Sequence, residues 1–319
     1  MTNTKVTSSN ATGTEKRNLA IGAIAFAAAA FLPLFDTGFW LATGISLATY
    51  TVLATSWAMF SGPTHYISLA TAAFYGIGMY VVGGGVGHLP FPLLVLLAAA
   101  AGAILAAIVG LATLRLSGVY FVIFTLGLAE LIRQLMSWAQ STLGSSSGLY
   151  VLTGITEPMI YWQLLALAGL VFLIGWRIGR SRLGFALRII GNDETVASHI
   201  GIDTARAKVI LFVVSGTVAA ITGAILAPRL SYIEPTIAFS PMLSFLVVIM
   251  ALLGGAHRLW GPLLGVVPFM LLWDLISANF PNQTTLLLGC AFLLVVYLLP
   301  NGVAGLIEGL LRQRRSADG

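Results

Sequence analysis

The stretch from Leu89 to Leu114 reads LPFPLLVLLAAAAGAILAAIVGLATL and contains no charged residue. A helix needs about 20 mostly apolar residues to cross a bilayer. The backbone polar groups of such a segment must be satisfied within it, because lipid offers them no partners. The stretch meets both conditions, and we predict that it forms a transmembrane helix.

The composition extends this prediction to the whole chain. Of the 319 residues, 58% are hydrophobic and only 8% are charged, whereas soluble domains carry about 25% charged residues. These values exclude a soluble globular enzyme, a disordered protein and a nucleic-acid-binding protein. The single cysteine, Cys290, excludes a disulfide within the chain. We therefore predict an all-α polytopic membrane protein.

Apolar runs recur along the chain and predict about ten transmembrane helices. The third, eighth and ninth runs are short or rich in Gly and Pro, so they are candidates for broken or re-entrant helices. We read the first run as a retained helix, since it has no convincing signal-peptide cleavage site. The ten predicted spans are residues 19–35, 38–60, 66–86, 89–114, 117–138, 159–178, 207–228, 241–256, 260–279 and 284–300.

The basic residues predict the orientation of these spans. With a cytoplasmic N-terminus and ten crossings, only Arg133 and Arg229 of the 16 Lys and Arg residues lie outside, which leaves 14 inside. This asymmetry follows the positive-inside rule, and it places both termini in the cytoplasm. The predicted organisation is a disordered tail over 1–17, a membrane domain over 18–307 with a cytoplasmic loop over 179–206, and a cytoplasmic tail over 308–319.

The cytoplasmic loop is predicted to form two short helices. The first spans about 182–190 and ends at Gly191, and the second begins after Asn192 or Asp193 as N-cap. A close-fitting protein partner and the membrane surface are both compatible with the second helix. Its helical spacing of i, i+3, i+4 and i+7 predicts one face of mostly small residues, formed by Glu194, Ala197, Ser198 and Gly201.

Two carboxylates lie inside the predicted spans, Glu130 and Asp274. Glu130 is followed by Arg133 three residues later, on the same side of the helix. A carboxylate facing lipid is costly, so Glu130 belongs either to a transport pathway or to an ion pair with Arg133. The chain has no Walker A sequence, metal-ligand spacing or nucleophile motif. We therefore predict no enzymatic activity and no cofactor on this chain.

Four segments resemble LivM-type permeases of branched-chain amino acid ABC importers, and they occur in that family's order. The resemblance covers about residues 45–307. Within it, the segment from 184 also resembles the coupling pattern of ABC permeases, in which a Gly follows a Glu by seven positions. The segments are SLATAAFYGIGMY (68–80), LRLSGVYFVIFTLGLAE (114–130), GFALRIIGNDE (184–194) with Gly201-Ile202 after it, and LGGAHRLWGPLLG (253–265).

The resemblance implies a function and a set of partners. The chain is expected to be a permease subunit in the bacterial inner membrane that imports branched-chain or other hydrophobic amino acids. Its expected partners are a second, LivH-like permease, an external solute-binding protein and two cytoplasmic ATPase subunits that bind the ATP. The resemblance implies that Glu194, Ala197, Ser198 and Gly201 couple to the ATPases. Our candidates for the translocation pathway are Ser68, Thr71, Thr125 and Glu130.

Two other functions remain compatible with the sequence. A urea or short-amide permease would share nearly all of these motifs. An ion-coupled secondary transporter would use Glu130, Asp274 and the broken spans. The sequence also departs from the family pattern in three places, where it has Leu143–Gly148, Ser244-Phe245-Leu246 and His257-Arg258.

Overall fold

The computed structural model shows a bundle of apolar helices. It describes residues 26, 29–35, 38–113, 116, 118–143, 148–283, 286–287, 289–290, 293, 302–303 and 305. The predicted tails over 1–17 and 308–319 lie outside the described residues, as do most of the first and last predicted spans.

Twelve helices and two short strands are found in the described part of the chain. The strands β1 (Leu149–Tyr150) and β2 (Tyr232–Ile233) pair antiparallel, with Leu149 opposite Ile233. The helices are α1 (Leu32–Phe35), α2 (Phe39–Thr64), α3 (Thr71–Gly85), α4 (Phe91–Thr113), α5 (Val119–Leu143), α6 (Glu157–Arg180), α7 (Arg182–Asn192), α8 (Glu194–His199), α9 (Thr204–Leu226), α10 (Pro235–Ala238), α11 (Pro241–Gly254) and α12 (Gly261–Asn279).

Six segments of the described chain are long and apolar enough to cross a membrane. They are α4, α5, α6, α9 with the 3-10 turn that follows it, α10 together with α11, and α12. The all-α polytopic class is confirmed, while the number of ten and the location of the termini stay predictions. The helices α2 and α3 occupy the second and third predicted spans. α2 is rich in Thr and Ser, and α3 has only 15 residues.

Helix α9 lies at the centre and packs against α2, α3 and α4. Its crossing with α3 depends on two glycines. An added Cβ at Gly78 would overlap the carbonyl oxygen of Ala220, and one at Gly223 would overlap that of Tyr75. Small residues allow transmembrane helices to approach to this distance. At this crossing the glycines therefore serve helix packing.

The two basic residues predicted for the outer side both pair with carboxylates. Arg229 Nε lies 3.5 Å from Glu157 Oε1, and Arg133 Nε donates to Glu130 Oε2 at 2.8 Å. Each carboxylate offsets the charge of its partner. The predicted outer side therefore carries even less net positive charge than the count of Lys and Arg suggests.

The loop over 179–206, which is predicted to be cytoplasmic, forms two helices as predicted, but their ends differ from the prediction. α7 continues through Gly191 to Asn192, and Gly191 instead lies where an added Cβ would come 2.7 Å from the carbonyl oxygen of Pro63. α8 ends at His199, two residues before Gly201. The predicted continuous face from Glu194 to Gly201 is therefore wrong, because the chain turns out of the helix at its end.

Candidate coupling and translocation site

Three of the four predicted pathway residues lie at a break between two helices. Residues 65–70, here called the 65–70 linker, join α2 to α3 without helical structure. His65 begins the linker with φ +57° and is the only non-glycine residue in the described chain with positive φ. The indole Nε1 of Trp57 donates to the carbonyl oxygen of Ser68 at 2.8 Å. This hydrogen bond fastens the linker to α2.

Hydroxyl groups from two other helices satisfy the backbone at the start of α3. Leu69 N donates to Thr125 Oγ1 of α5 at 3.0 Å, and Ala72 N donates to Ser244 Oγ of α11 at 2.9 Å. Both hydroxyl-bearing residues are fully buried. The first N–H groups of a helix have no partner within it, and a buried unsatisfied donor costs about 1–3 kcal/mol. These bonds therefore fasten the linker and α3 to α5 and α11.

Three of the four predicted pathway residues lie in this region. Ser68 and Thr71 flank the start of α3, and Thr125 bonds the linker directly. Ser244 joins them, although it was not predicted as a site residue. The signal for Ser244 was its position in one of the three departures from the family pattern.

Glu130 makes its polar contacts within its own helix. Its Oε2 accepts from Arg133 Nε at 2.8 Å, and its Oε1 accepts from Gln134 Nε2 at 2.9 Å. Both partners belong to α5. The structure thus shows the ion pair that the sequence offered as one of two interpretations. A role for Glu130 in the pathway stays a prediction.

Glu194 is held by two residues that lie outside its own helix. It forms an ion pair with Lys208 of α9, and its Oε2 accepts from the hydroxyl of Tyr66 at 3.4 Å. Lys208 Nζ also donates to the Tyr66 hydroxyl at 3.0 Å and lies 4.2 Å from the centre of the Tyr66 ring. We call Tyr66, Glu194 and Lys208 the α8 clamp. The clamp joins α8 to both α9 and the 65–70 linker.

Lys208 is the buried member of the α8 clamp. Its side chain is 2% exposed, against 42% for Glu194. A buried ammonium group is costly unless it is paired, so Lys208 requires both the carboxylate and the aromatic ring. The Tyr66 ring in turn packs edge-to-face on Phe121 of α5, with 5.3 Å between centroids. In the sequence, Lys208 is only one of the 14 basic residues predicted to lie in the cytoplasm. Its position in the apolar helix α9 was the available signal.

The remaining predicted coupling residues occupy different environments. Ala197 is fully buried, whereas Ser198 is exposed and donates to the carbonyl oxygen of Thr195 at 2.7 Å. Gly201 has φ +84° and no atom of another residue within 4 Å of an added Cβ. Gly201 N bonds Ser198 O and Ile202 N bonds Ala197 O, each at 3.1 Å. This pair of bonds is a Schellman motif, which ends α8.

Asp193 begins α8 as its N-cap, as predicted. Its Oδ1 accepts from Thr195 N at 2.7 Å and from Val196 N at 3.2 Å. The hydrogen bonds from the backbone N–H groups of Val196 and Thr195 hold the pKa of Asp193 below its usual range. The cap therefore stays charged at neutral pH, which suits the positive end of a helix.

The helices α7 and α8, which are predicted to lie in the cytoplasm, also expose large apolar side chains. Phe185 of α7 is 67% exposed, and on α8 Val196 is 51% and Ile200, the residue after its end, is 59% exposed. Exposed apolar groups of this kind, close together in the chain and rimmed by polar residues, mark sites of protein or membrane contact.

Comparison with known proteins relates the whole bundle to membrane permeases. A family described as "Branched-chain amino acid transport system / permease component" matches residues 39–298. The chain is similar to the high-affinity branched-chain amino acid transport system permease protein LivM of Escherichia coli, with 25% identity over 306 residues that cover 84% of this chain and 70% of that protein. It is 30% identical to LivH of Escherichia coli over 151 residues, 47% of this chain and 48% of that protein. A ribose import permease protein, RbsC of Haemophilus influenzae, is 32% identical over 123 residues, 37% of this chain and 36% of that protein.

Proposed function

Because the chain belongs to the family of permease components of branched-chain amino acid transport systems, we propose that it is one of two membrane-spanning subunits of an ATP-driven importer. The transported solute is a branched-chain or another hydrophobic amino acid. The similarity to LivM over most of the chain supports this solute class. The importer is completed by a LivH-like permease, two cytoplasmic ATPase subunits and an external solute-binding protein.

The α8 clamp is the observation that carries this proposal. It connects a short cytoplasmic helix with exposed apolar residues to a helix break inside the membrane domain. An importer that hydrolyses ATP on separate subunits needs such a connection, since force must pass from the cytoplasm to the pathway. The exposed side chains of Val196 and Ile200 form an apolar surface against which an ATPase subunit can pack.

Transport follows from movement of this connection. When the ATPase subunits close on ATP, they displace α8, and Glu194 transmits the displacement to Lys208 and Tyr66. Tyr66 belongs to the 65–70 linker, whose backbone is bonded to Thr125. The linker, α5 and α11 then shift together and exchange outward for inward access. ATP drives this exchange because the ATPase subunits bind it more tightly in one of the two states.

The contacts of Glu130 favour ATP-driven import over ion-coupled transport that uses this carboxylate. A carboxylate inside a membrane domain marks an ion pathway when it faces the pathway and is open to the ion. Glu130 is instead engaged by Arg133 and Gln134 of its own helix. Both of its carboxylate oxygens therefore already have donors from α5.

Isolation of the tagged chain from native membranes in mild detergent tests the proposed assembly. We expect mass spectrometry to find a second permease with it, together with ATPase subunits that carry a Walker A sequence. A folded chain that is recovered alone, and that moves leucine in liposomes under an ion gradient, would contradict the proposal.

Substitution of Gly201 tests whether uptake depends on the backbone turn that ends α8. Alanine at φ +84° is strained by about 1–2 kcal/mol. This strain lowers the population of the native turn by roughly 5- to 30-fold. We expect Gly201→Ala to lower the initial rate of uptake within this range while membrane insertion is unchanged. Gly201→Asn is the matched control, because asparagine tolerates the left-handed region.

The pair of variants separates two roles for Gly201. Retained uptake in Gly201→Asn shows that its backbone conformation is what matters. Loss of uptake in both variants would mean that a partner approaches Gly201 closely. Normal uptake in both would remove Gly201 from the coupling residues.

A further inference from the structure

A second break between helices lies close to the 65–70 linker. The apolar span over residues 235–254 consists of α10 and α11, and Phe239 and Ser240 between them are not helical. Ser244 of α11, one turn after this break, accepts from Ala72 N at the start of α3. Non-helical backbone at membrane depth is tolerated where it is buried in protein or lines a cavity. In many secondary transporters, such breaks form the solute site.

Phe239 of the second break is fully buried against a glycine of α3. An added Cβ at Gly76 would come 2.3 Å from atoms of the Phe239 ring. The same ring packs on that of Tyr80, with 5.4 Å between centroids. Ala72, Gly76 and Tyr80 follow one another at intervals of four residues, so they share one face of α3. The absence of a side chain at Gly76 therefore leaves the space on this face that Phe239 fills.

Gln140 of α5 brings a free hydrogen-bond donor to the same face of α3. The hydroxyl of Tyr80 donates to Gln140 Oε1 at 2.9 Å, which fixes the orientation of the amide group. The other amide atom, Nε2, is buried and has no hydrogen-bond partner. A buried donor without a partner is unfavourable, and in a native structure it requires an explanation. Tyr80 thus contacts both the Phe239 ring and an amide whose N–H groups are available to a further acceptor.

These two features match the two ends of a hydrophobic amino acid. Its carboxylate is an acceptor for the N–H groups of Gln140, and hydrogen bonds to a charged acceptor are stronger than neutral ones. Its side chain is apolar, and the space over Gly76 beside the Tyr80 ring accepts an apolar group, since Phe239 occupies it. Phe239 therefore stands where the side chain of a bound solute would lie.

We propose that Gly76, Tyr80, Gln140 and Phe239 form a solute-contacting site, here called the Gly76 site, in which Gln140 binds the carboxylate of the imported amino acid. Phe239 closes the site and is replaced over Gly76 by the side chain of the solute. This inference rests on the proposed function, in which α11 moves. Phe239 lies two residues before α11, so a shift of α11 carries its ring away from α3.

Photolabelling of the assembled complex tests the Gly76 site directly. The complex is reconstituted with its solute-binding protein, which is loaded with photo-leucine, a leucine analogue that carries a diazirine in its side chain. Ultraviolet light is applied during ATP turnover, and mass spectrometry of peptides locates the label. We expect the label on α3 around Gly76 and on the chain around Phe239.

The site variant is Gln140→Met, and the matched control is Gln163→Met. Gln163 of α6 is also partly buried and also has an unpartnered side-chain atom, Oε1. Methionine has a similar length but donates no hydrogen bond. We expect about tenfold less label per assembled complex in Gln140→Met, because a hydrogen bond to a charged group is lost. The control should be labelled like the native protein.

A third variant covers the case in which Gln140→Met does not fold. Gln140→Glu keeps the acceptor for the Tyr80 hydroxyl and replaces the free N–H groups by an oxygen. A carboxylate at this position repels the carboxylate of the solute, so we expect at least the same loss of label.

Each result has a definite meaning. Label at the Gly76 site that is lost in the Gln140 variant alone supports the proposal. Label in another part of the chain, or equal label in Gln140→Met and Gln163→Met, overturns it. Leucine uptake by the same preparation separates this failure from a failure of the proposed function. If the native complex imports leucine with ATP while the label lies elsewhere, only the Gly76 site is wrong. If it does not import leucine, the proposed function is wrong and the site is overturned with it.

Discussion

The Glu194→Leu variant is expected to yield little folded protein and no ATP-driven uptake. This substitution leaves Lys208 buried without its carboxylate, and only the hydroxyl and ring of Tyr66 remain as partners. Removal of one member of a buried ion pair costs about 3–5 kcal/mol, and we expect the lower end because Tyr66 remains. The yield after size-exclusion chromatography and the midpoint of thermal unfolding measure the first effect.

A second substitution separates stability from coupling. Lys208→Met in the Glu194→Leu background removes the unpaired charge and leaves two apolar side chains of similar length. Replacement of a buried ion pair by apolar residues is often neutral. We therefore expect the double variant to recover the yield and unfolding midpoint of the native protein. Uptake should stay at least tenfold below native, because α8 no longer has a polar connection to Tyr66.

The stability and the uptake of the double variant together show whether the α8 clamp couples or only stabilises. A double variant that recovers both stability and uptake would show that the α8 clamp is a structural contact only. ATP hydrolysis by the assembled complex gives the third readout. We expect hydrolysis to persist in the double variant without transport, since the ATPase subunits themselves are unchanged.

Gly78→Leu is expected to prevent folding of the membrane domain. The new side chain would overlap the backbone of Ala220, which belongs to the central helix α9. Backbone atoms cannot move aside as a flexible side chain can, so α3 and α9 must separate. Overpacking in a core costs about 1–3 kcal/mol and occasionally more, and we expect the upper end or beyond. The readout is the fraction of expressed protein that is monodisperse in detergent.

Gly84→Leu is the matched control in the same helix. Gly84 is exposed, and an added Cβ there meets no atom within 4 Å. We expect this variant to fold normally and to take up solute at the native rate. Equal yields of the Gly78 and Gly84 variants would contradict the packing described for α3 and α9.

Sequence patterns predicted the local structure well where neighbouring residues decide it. The predicted span over 89–114 is observed as α4 over Phe91–Thr113, and Asp193 caps α8 as expected. Apolar runs and capping side chains act within a few residues, so a single sequence contains the necessary information. The predicted helix ends were wrong because the sequence does not show which glycine ends a helix. Gly201 adopts a positive φ and ends α8, whereas Gly191 stays within α7.

The α8 clamp could not be predicted in the same way. Tyr66 lies 128 residues from Glu194 and 142 from Lys208. Nothing in the local pattern of any one of them indicates the other two. The same holds for Ser244, which reaches Ala72 over 172 residues. The sequence indicated the helix that we propose couples to the ATPases and the region of the break, and the structure shows the contact between them.

The initial rate of leucine uptake into proteoliposomes tests the central claim most directly. The assembled complex is reconstituted with its solute-binding protein, ATP is supplied on the ATPase side, and ion gradients are collapsed with ionophores. We predict uptake that requires ATP, stops with a non-hydrolysable analogue and is lost in the Glu194→Leu/Lys208→Met variant. Uptake that follows an imposed proton or sodium gradient and is indifferent to ATP would contradict the account.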